Sequence, residues 1–373
     1  MTSGTLPSPR LVAALLCSSW IGLPAQAAPP GEPSFAPAVR AAVSDQQQRD
    51  HIPGLSCAVG VAGQVVFAEG FGVADLENDV PATAATVYRL ASISKPITAV
   101  AAMQLVEQGR LDLDADVHTL VDAWPQKRWP VTTRRLLGHQ AGVRHYKPGE
   151  GEVTEHYADQ TAALERFAAD PLLHEPGTAY RYSTFGFNLV GAVVEQASGQ
   201  TLPDYVREHI AARCGAATLQ DDDVRRIVKN RAAGYVRRGG ELRNSALMDS
   251  SYKLGGGGFV CSAPDLVRFG NALLAGRLVQ PATLEVMWTP GRLTDGKATG
   301  YGLGFGVGGR QGRRVISHSG AQSRVSTMLY MIPEQRIVVV VLANLEGVKL
   351  GGLAAKIADA AAPAGQNAPN RGR

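Results

Sequence analysis

Short runs of apolar residues lie near both ends of this 373-residue chain. Two of them, residues 55–61 and 65–71, flank Ala62-Gly63-Gln64, a spacing typical of a β-hairpin. Near the carboxyl end, four more runs predict consecutive antiparallel strands, at residues 301–307, 313–317, 325–332 and 337–343. Because such runs occur at both ends, we expect one sheet to which both ends contribute.

Between those runs the apolar residues recur with the period of a helix. One helix face collects Ile97, Val100, Ala101 and Leu105. Residues 187–196 show the same pattern, so helix is predicted from about Ser92 to about Val228. Residues 38–50 and 353–362 predict a helix near each end. The pattern predicts an α+β fold, an antiparallel sheet flanked by helices with an inserted, mainly helical lobe, and a site in the cleft between lobes.

The amino terminus has the three parts of a secretory signal peptide. They are the basic residue Arg10, an apolar run at residues 11–23, and the small-x-small tripeptide Ala25-Gln26-Ala27. The apolar run is shorter than the roughly 20 residues that span a bilayer. We therefore expect residues 1–27 to be a signal peptide, the mature protein to be exported to the periplasm or secreted, and the mature chain to have no membrane span.

The rest of the chain is predicted to form a single domain with two lobes, residues 28–365. The α/β lobe takes about 28–85 and 230–365, and the helical lobe takes about 86–229. Residues 366–373 are rich in Pro, Asn, Gly and Arg and are predicted to form a disordered tail.

Composition and charge narrow the class of protein. Hydrophobic residues make up 45% of the chain and charged residues 19%, enough apolar side chains for a packed core. The net charge is only +4 and no long Lys/Arg block occurs, so we expect no nucleic-acid partner. Beyond the signal peptide the cysteines are Cys57, Cys214 and Cys261, an odd number that argues against a disulfide framework. None has a His or Cys at metal-ligand spacing, so no metal site is expected.

The first candidate for chemistry is Ser92-Ile93-Ser94-Lys95, which matches the motif Ser-x-x-Lys. Ser92 is predicted to open a helix, which would place the Ser92 and Lys95 side chains on one face. Free N–H groups at the helix start would favour a developing oxyanion. We interpret Ser92 as a nucleophile beside Lys95. The alternative is a serine that caps a helix next to a solvated lysine.

A second match to the same motif, Ser250 to Lys253, leads into four glycines at residues 255–258. Because glycine is a poor helix former, we expect no helix to start there, and we prefer Ser92 as the nucleophile. The glycines either allow close backbone approach beneath a site or form a flexible loop.

Two further tripeptides carry side chains suited to acyl transfer, Tyr182-Ser183-Thr184 and His318-Ser319-Gly320. A lysine ammonium near Tyr182 would lower the pKa of the phenol, which could then accept the Ser92 proton and return it to the leaving group. His318 would follow a predicted strand whose edge suits an extended substrate, and the N–H groups of Ser92 and Ala321 would form an oxyanion hole. The alternatives are a buried tyrosine at a helix start and a surface histidine in a turn.

Together these motifs resemble the serine β-lactamase/penicillin-binding-protein superfamily, specifically its class C-like branch. That branch carries Ser-x-x-Lys, Tyr-x-Asn and Lys/His-Thr/Ser-Gly in this order and at similar spacing. Residues 136–142, Leu-Leu-Gly-His-Gln-Ala-Gly, are similar to its Leu-Leu-x-His-x-Ser-Gly landmark, and the resemblance extends over about residues 38–361. Residues 142–146, 182–186 and 251–259 also resemble the mitochondrial serine β-lactamase-like members. The resemblance implies a β-lactamase/penicillin-binding-protein-like fold and an acyl-enzyme formed without metal or cofactor.

Two departures from the family pattern bear on the substrate. Thr184 stands in place of Asn, and a hydroxyl cannot supply the paired donor and acceptor of an amide. His318 stands in place of Lys, so a fixed cation becomes a titrating one, and we expect a shoulder near neutral pH in the activity profile. Thr184, His318, Ser319, Gly320 and Ala321 are expected to form the substrate-binding and oxyanion part of the site, with weak or no β-lactamase activity.

The sequence therefore predicts an exported active-site serine hydrolase that acts on peptide-like substrates, with Ser92, Lys95 and Tyr182 as catalytic residues. The enzymatic alternatives are a D-Ala-D-Ala carboxypeptidase, an esterase or a β-lactamase of class C type. The non-enzymatic alternative is a self-assembling scaffold, against which the three catalytic side chains argue. Whether the chain forms homo-oligomers stays open.

Overall fold

The structure, a computed structural model, describes residues 1–2 and 31–362, so the predicted signal peptide beyond Thr2 and the predicted tail lie outside the described residues. The strands are β1 (Gly54–Val61), β2 (Gln64–Asp75), β3 (Val80–Pro81), β4 (Val87–Arg89), β5 (Gln220–Asp221), β6 (Tyr235–Arg238), β7 (Glu241–Asn244), β8 (Phe259–Ser262), β9 (Gly306–Arg310), β10 (Arg313–Gln322), β11 (Val325–Ile332) and β12 (Ile337–Ala343). The α-helices are α1 (Ala36–Asp50), α2 (Ser94–Glu107), α3 (Thr133–Leu137), α4 (Gln160–Ala163), α5 (Thr184–Ser198), α6 (Leu202–Val206), α7 (Ala212–Cys214), α8 (Leu254–Gly257), α9 (Ala263–Leu274), α10 (Pro281–Met287) and α11 (Gly351–Ala361).

Strands from both ends of the chain meet in one seven-stranded antiparallel sheet, as the apolar pattern predicts. Its order is β3-β2-β1-β12-β11-β10-β9. The junction between the two ends is the pairing of β1 with β12, in which Leu55 lies opposite Ala343. The β1–β2 hairpin turns on Ala62 and Gly63, whose φ angles of 51° and 88° match the left-handed conformations that a two-residue hairpin loop needs.

The strand β12 shows how helices cover both faces of the sheet. Every residue of this Ile-Val-Val-Val-Val-Leu-Ala run is buried, which requires cover on both sides. Ile337, Val339 and Val341 belong to the core layer under α1 and α11. Val338, Val340 and Leu342 belong to the larger core that contains α2, α5 and α9. Each fully buried valine contributes about 1.5–3 kcal/mol to this packing.

The inserted region is less helical than its periodicity predicts. Long helices occur at α2 and α5, but residues 108–183 hold only α3, α4 and short 3₁₀ turns. Prolines such as Pro130, Pro148 and Pro171 interrupt this stretch and stop regular helix. The region also contains β4, which pairs with β8 in a separate three-stranded sheet.

Two strand predictions near the carboxyl end are wrong in their bounds. Residues 301–305 turn rather than extend, with φ +86° at Gly304, and β9 begins only at Gly306. The next strand, β10, continues five residues beyond the predicted end and reaches Gln322. His318 therefore lies inside a strand rather than in a turn after it. The bounds of β11 and β12 agree with the prediction.

The two helices predicted near the ends of the chain and the three cysteines all lie within the described residues. The helices expected at residues 38–50 and 353–362 are present as α1 and α11. Cys57, Cys214 and Cys261 are buried free thiols. Within the described residues, no helix combines the length and apolar character that a membrane crossing needs.

Candidate active site

Ser92 lies in a short 3₁₀ turn, Ala91–Ile93, that connects β4 to α2. The helix therefore begins two residues after Ser92, not at Ser92 as the sequence predicts. Ala91 has φ 48°, a left-handed conformation that disfavours a side chain by roughly 1–2 kcal/mol. The turn is held from both sides: Leu90 N–H donates to the Phe259 carbonyl, 2.8 Å, and the Thr327 hydroxyl donates to the Leu90 carbonyl, 2.9 Å. The sharp bend leaves the Ser92 side chain partly exposed.

Gly320 lets strand β10 lie directly against this turn. A Cβ at position 320 would lie 2.2 Å from Thr327 Oγ1 and 2.4 Å from the Leu90 carbonyl oxygen. Real side chains do not tolerate such distances, so glycine is required at this position for close packing. Gly320 is predicted to belong to the substrate-binding and oxyanion part of the site, but it packs against Leu90 and Ala91 and is not among the residues that line the cleft.

Lys95 lies one turn after Ser92 and is fully buried. Its Nζ lies 3.1 Å from Ser92 Oγ, 3.1 Å from Thr184 Oγ1 and 2.7 Å from the Gly256 carbonyl oxygen. Burial, together with the nearby charge of Lys253, lowers the pKa of Lys95 well below its usual value. The fold therefore favours the neutral amine more than water does.

Tyr182 completes the group around Ser92. Its ring centre lies 4.8 Å from Lys95 Nζ, and its phenol is close enough to Ser92 for that side chain to affect the phenol pKa. The expectation that the lysine lowers the pKa of this phenol is wrong. Burial raises the pKa of Tyr182 above its usual value, because desolvation outweighs the opposing effect of the nearby Ser92 side chain. Tyr182 is thus suited to pass a proton as a neutral phenol.

Two histidines that sequence reasoning left without a role position the residues after Tyr182. His139 Nδ1 accepts a hydrogen bond from Ser183 N–H, 3.2 Å, and His145 Nδ1 accepts one from Thr184 N–H, 3.1 Å. Burial lowers the pKa of His145 to about 4, so it stays neutral and able to accept. Both histidines lie in segments that carry the family resemblance, which is the signal that could have found them.

Thr184 contacts Lys95 rather than standing free as the predicted substrate-binding group. Its buried hydroxyl is one of the three partners of Lys95 Nζ, and its residue also lines the cleft. Ser183 caps α5, because its hydroxyl accepts the Gly186 N–H at 2.9 Å. The Tyr182-Ser183-Thr184 tripeptide thus holds the helix start and the lysine in one arrangement.

Of the four glycines, Gly255 and Gly256 pack tightly against α5, and the run forms α8 and its C-cap rather than a loop. A Cβ at Gly256 would lie 2.5 Å from Thr184 Cγ2, and one at Gly255 would lie 2.5 Å from the Phe187 carbonyl oxygen. A 3₁₀ turn and the helix α8 do begin there, contrary to prediction, because tertiary packing outweighs the low helix propensity of glycine. The close approach brings the Gly256 carbonyl to Lys95.

In the second Ser-x-x-Lys match, Ser250 and Lys253 lie in two different environments. Ser250 is buried, and its hydroxyl donates to Asp222 Oδ2, 3.1 Å, a carboxylate that also pairs with Arg89 at 2.6 Å. Lys253 instead reaches the same cleft as Ser92. Lys253 is not among the predicted site residues, because the motif spacing alone does not show which of its two residues faces a cavity.

His318 is held in one neutral form by two hydrogen bonds. Its Nδ1 lies 2.7 Å from the Ser319 carbonyl oxygen, which only accepts, so Nδ1 carries the proton. Its Nε2, 2.9 Å from the Tyr301 hydroxyl, therefore accepts from Tyr301. Burial and nearby Lys95 lower the pKa of His318 to about 3. The expectation that His318 titrates near neutral pH is therefore wrong.

Beyond Ser317, one edge of β10 has no neighbouring strand within the part of the chain that the structure describes, because β9 pairs only up to that residue. Val307 N–H donates to Gly300 rather than to β10, so Gly306 and Ser317 form the hydrogen-bonded pair. Backbone groups alternate along a strand, which directs those of Ser319 and Ala321 to the same open edge. This edge lies beside Ser92, where the sequence places an oxyanion hole.

These elements enclose a cleft of about 730 Å³, named here the Ser92 cleft. Of the predicted site residues, six line it: Ser92, Tyr182, Thr184, His318, Ser319 and Ala321. Lys95 lies beneath its floor and Gly320 behind its wall. The lining residues that the prediction lacks include His145, Tyr146, Glu152, Lys253, Tyr301 and Gln322. The arrangement offers a hydroxyl, a neutral amine and a phenol in contact with one another at a cavity.

Comparison with known proteins identifies the family. The model of the Beta-lactamase family matches residues 39–362. The chain belongs to the Beta-lactamase family. Human mitochondrial serine beta-lactamase-like protein LACTB is 31% identical in an alignment that covers 82% of this chain and 76% of that protein. The Beta-lactamase family comprises serine β-lactamase and penicillin-binding-protein-like hydrolases, so the predicted superfamily is confirmed.

Solved structures of the Beta-lactamase fold agree with this assignment. The octameric penicillin-binding protein homologue from Pyrococcus abyssi has a TM-score of 0.74 and 26% identity, covering 85% of this chain and 75% of that one. EstCE1, a hydrolase with promiscuous acyltransferase activity, has a TM-score of 0.76 and 26% identity, covering 87% of this chain and 98% of that one. The predicted α+β fold is confirmed.

Proposed function

We propose that this protein is a serine hydrolase that forms an acyl-enzyme on peptide-like substrates. The observation that carries the proposal is the contact of Ser92 Oγ with both Lys95 Nζ, at 3.1 Å, and the Tyr182 phenol, at the wall of the Ser92 cleft. A serine used only as a helix cap does not need two such partners.

Lys95 is the base of the first step. A neutral amine has two N–H donors and one lone pair, and the Gly256 carbonyl can only accept while Thr184 Oγ1 is able to accept. Both donors are then engaged and the lone pair is left for the Ser92 hydroxyl. This use of Lys95 replaces the electrostatic role expected from the sequence, because its lowered pKa favours the neutral form.

The reaction then has two halves. Ser92 Oγ attacks the substrate carbonyl while its proton passes to Lys95 Nζ, and the N–H groups of Ser92 and Ala321 stabilise the oxyanion. The proton moves through Tyr182 to the leaving group as the bond to that group breaks, which leaves the acyl group on Ser92. Water, activated by the same groups, releases the acid in the second half.

The substrate class follows from the lack of a charged group at position 318. Neutral His318 offers no cation to a β-lactam carboxylate, so we propose weak or no β-lactamase activity. The open edge of β10 suits an extended peptide-like acyl chain. An esterase is the second candidate, favoured by the similarity to EstCE1, a hydrolase with acyltransferase activity.

We also propose that the protein is exported, from the signal-peptide pattern of residues 1–27. Expression of the full chain and of a chain starting at residue 28, followed by cell fractionation, tests this. Export of both, or of neither, would contradict it.

Labelling with a fluorescent fluorophosphonate tests the hydrolase proposal. The wild type and Ser250→Ala are expected to be labelled and Ser92→Ala to remain unlabelled, because Ser250 is engaged by buried Asp222. Ser250 thus supplies a matched control within the same motif. Absence of label in the folded wild type, or persistence of label in Ser92→Ala, would refute the assignment.

A further inference from the structure

Lys253 is a buried lysine that lines the Ser92 cleft, and no carboxylate of the described residues forms an ion pair with it. Its residue is only 2% exposed and lines the cleft. Nζ lies 5.6 Å from the centre of the Tyr146 ring and 5.3 Å from that of Tyr252. Among residues 31–362 it has no hydrogen-bond acceptor and no carboxylate within ion-pair distance. A buried lysine amine is unusual unless another group accepts its hydrogen bonds or pairs with its charge.

The side chain lies at a defined end of the cleft. A Cβ at Gly257 would lie 3.7 Å from Lys253 Cδ and 3.2 Å from Gln322 Oε1, so Lys253 and Gln322 flank the same glycine. Gln322 is the last residue of β10, and His318 lies four residues earlier on that strand. Lys253 therefore lies at the far end of the strand edge from His318.

In the proposed reaction, this end of the cleft is where the acyl part of a substrate would lie. Tyr182 passes the proton to the leaving group, and its ring lies 6.4 Å from that of His318. The leaving group thus extends toward His318 and Tyr301. The acyl part must extend the opposite way, along the β10 edge toward Gln322 and Lys253.

Other charged groups near Lys253 are already engaged. The exposed Glu152 accepts from the Ser323 hydroxyl at 3.1 Å, and the half-buried Glu346 accepts from Arg324 N–H at 3.0 Å. Behind the lysine, Asp222 pairs with Arg89. The remaining titratable neighbours on the cleft side are Lys95 and His145. Asp222 and Glu152 act to raise the pKa of Lys253, but among residues 31–362 neither carboxylate lies within ion-pair distance of its Nζ.

We propose that Lys253 binds a carboxylate on the acyl part of the substrate, so that the Ser92 cleft selects anionic acyl groups; this rests on the proposed function. Burial and the nearby Arg89 lower the pKa of Lys253 to about 7. The ammonium form is therefore present below pH 7 and lost above it. Selectivity for an anionic acyl group falls as the pH rises through 7.

Two esters that differ by one carboxylate test the inference. The value of kcat/KM is measured at pH 6 for p-nitrophenyl hemisuccinate and p-nitrophenyl butyrate. We expect Lys253→Met to lower the ratio of hemisuccinate to butyrate about ten- to hundredfold, the usual effect of losing a charged hydrogen bond. Lys229→Met, which removes an exposed lysine outside the cleft, is expected to leave the ratio unchanged. In wild type the ratio is expected to fall between pH 6 and 8.5, and in Lys253→Met to stay flat.

Equal loss on both esters in Lys253→Met would overturn the inference and assign Lys253 to the tuning of Lys95. An unchanged ratio would also overturn it. If Lys253→Met fails to give a cooperative thermal transition, Lys253→Gln replaces it in the same assay.

If the wild type hydrolyses neither ester, the proposed function fails, and binding decides the inference separately. Ser92→Ala is titrated with succinamic acid and with butyramide by ligand-observed NMR, with and without Lys253→Met. Preference for succinamic acid that disappears with Lys253→Met supports the carboxylate site. Equal binding of the two amides refutes it.

Discussion

Substitution of Gly320 by Ala probes the contact that places β10 against the Ser92 turn. The added Cβ would lie 2.2 Å from Thr327 Oγ1, 2.4 Å from the Leu90 carbonyl oxygen and 3.0 Å from Ala91 Cβ. Two of these atoms belong to the backbone turn or its immediate neighbour and cannot rotate away. To restore ordinary contact, β10 and the turn must separate by about 1 Å.

Two consequences of that separation can be given a size. Overpacking of this kind lowers the free energy of unfolding by about 1–3 kcal/mol. A displacement of about 1 Å between a nucleophile and its oxyanion donors lowers the rate about 10²-fold. We therefore expect Gly320→Ala to remain folded, with a lower denaturant midpoint, and to react with a fluorophosphonate about 10²-fold more slowly than wild type.

Gly308→Ala is the matched control for this experiment. Gly308 lies on the adjacent strand β9, and a Cβ there would meet no atom within 4 Å. Its stability and labelling rate are expected to equal those of wild type. Wild-type labelling by Gly320→Ala, or an equal loss in both variants, would refute the reasoning.

Three further predictions concern protonation. Tyr182→Phe is expected to lower kcat by about 10²–10⁴-fold, and Lys95→Met is expected to abolish labelling by the fluorophosphonate. Thermal unfolding of both variants should match that of wild type. Near-wild-type turnover in either variant would contradict the proposed role of that residue. His318→Asn is expected to leave the pH dependence of kcat between pH 5 and 8 unchanged, because the pKa of His318 is about 3; loss of an ionisation in this range would contradict that value. Burial raises the pKa of Glu195 to about 7, so the folded protein binds the Glu195 proton more tightly than the unfolded chain does. The free energy of unfolding should therefore fall by about 2–3 kcal/mol as the pH rises from 4.5 to 7. In Glu195→Gln this slope, followed by urea unfolding, should disappear, and its persistence would refute the assignment.

The sheet can be predicted from the sequence because most of its strands are continuous apolar runs that are visible locally. Strands β11 and β12 agree with the apolar runs to the residue, since each run ends at a turn. The failure at residues 301–305 has a long-range cause. A Cβ at Gly302 would lie 2.0 Å from the Met287 carbonyl oxygen, so the path of this segment depends on packing against α10. No local pattern contains that contact.

The candidate site likewise has features that the sequence shows and features that only the folded chain shows. The residue types around Ser92 and their order are visible in the sequence, and the structure brings them together. Their protonation is not visible there, because the pKa directions of Lys95, Tyr182 and His318 all follow from burial that only the folded chain creates. The same holds for Lys253, whose direction toward the cleft depends on how α8 packs against α5.

The joining of both chain ends in a single sheet has a consequence for synthesis. Gly54 N–H donates to the Asn344 side chain, a partner 290 residues away along the chain. Until residues 337–344 have left the ribosome, strand β1 of the hairpin at residues 54–75 lacks its partner β12 and its unpaired edge is exposed to water. Pairings this remote in sequence form late and slowly. The β1–β2 hairpin therefore cannot complete its pairing until residues 337–344 have been synthesised, and until then it exposes an unpaired strand edge of the kind that chaperones bind.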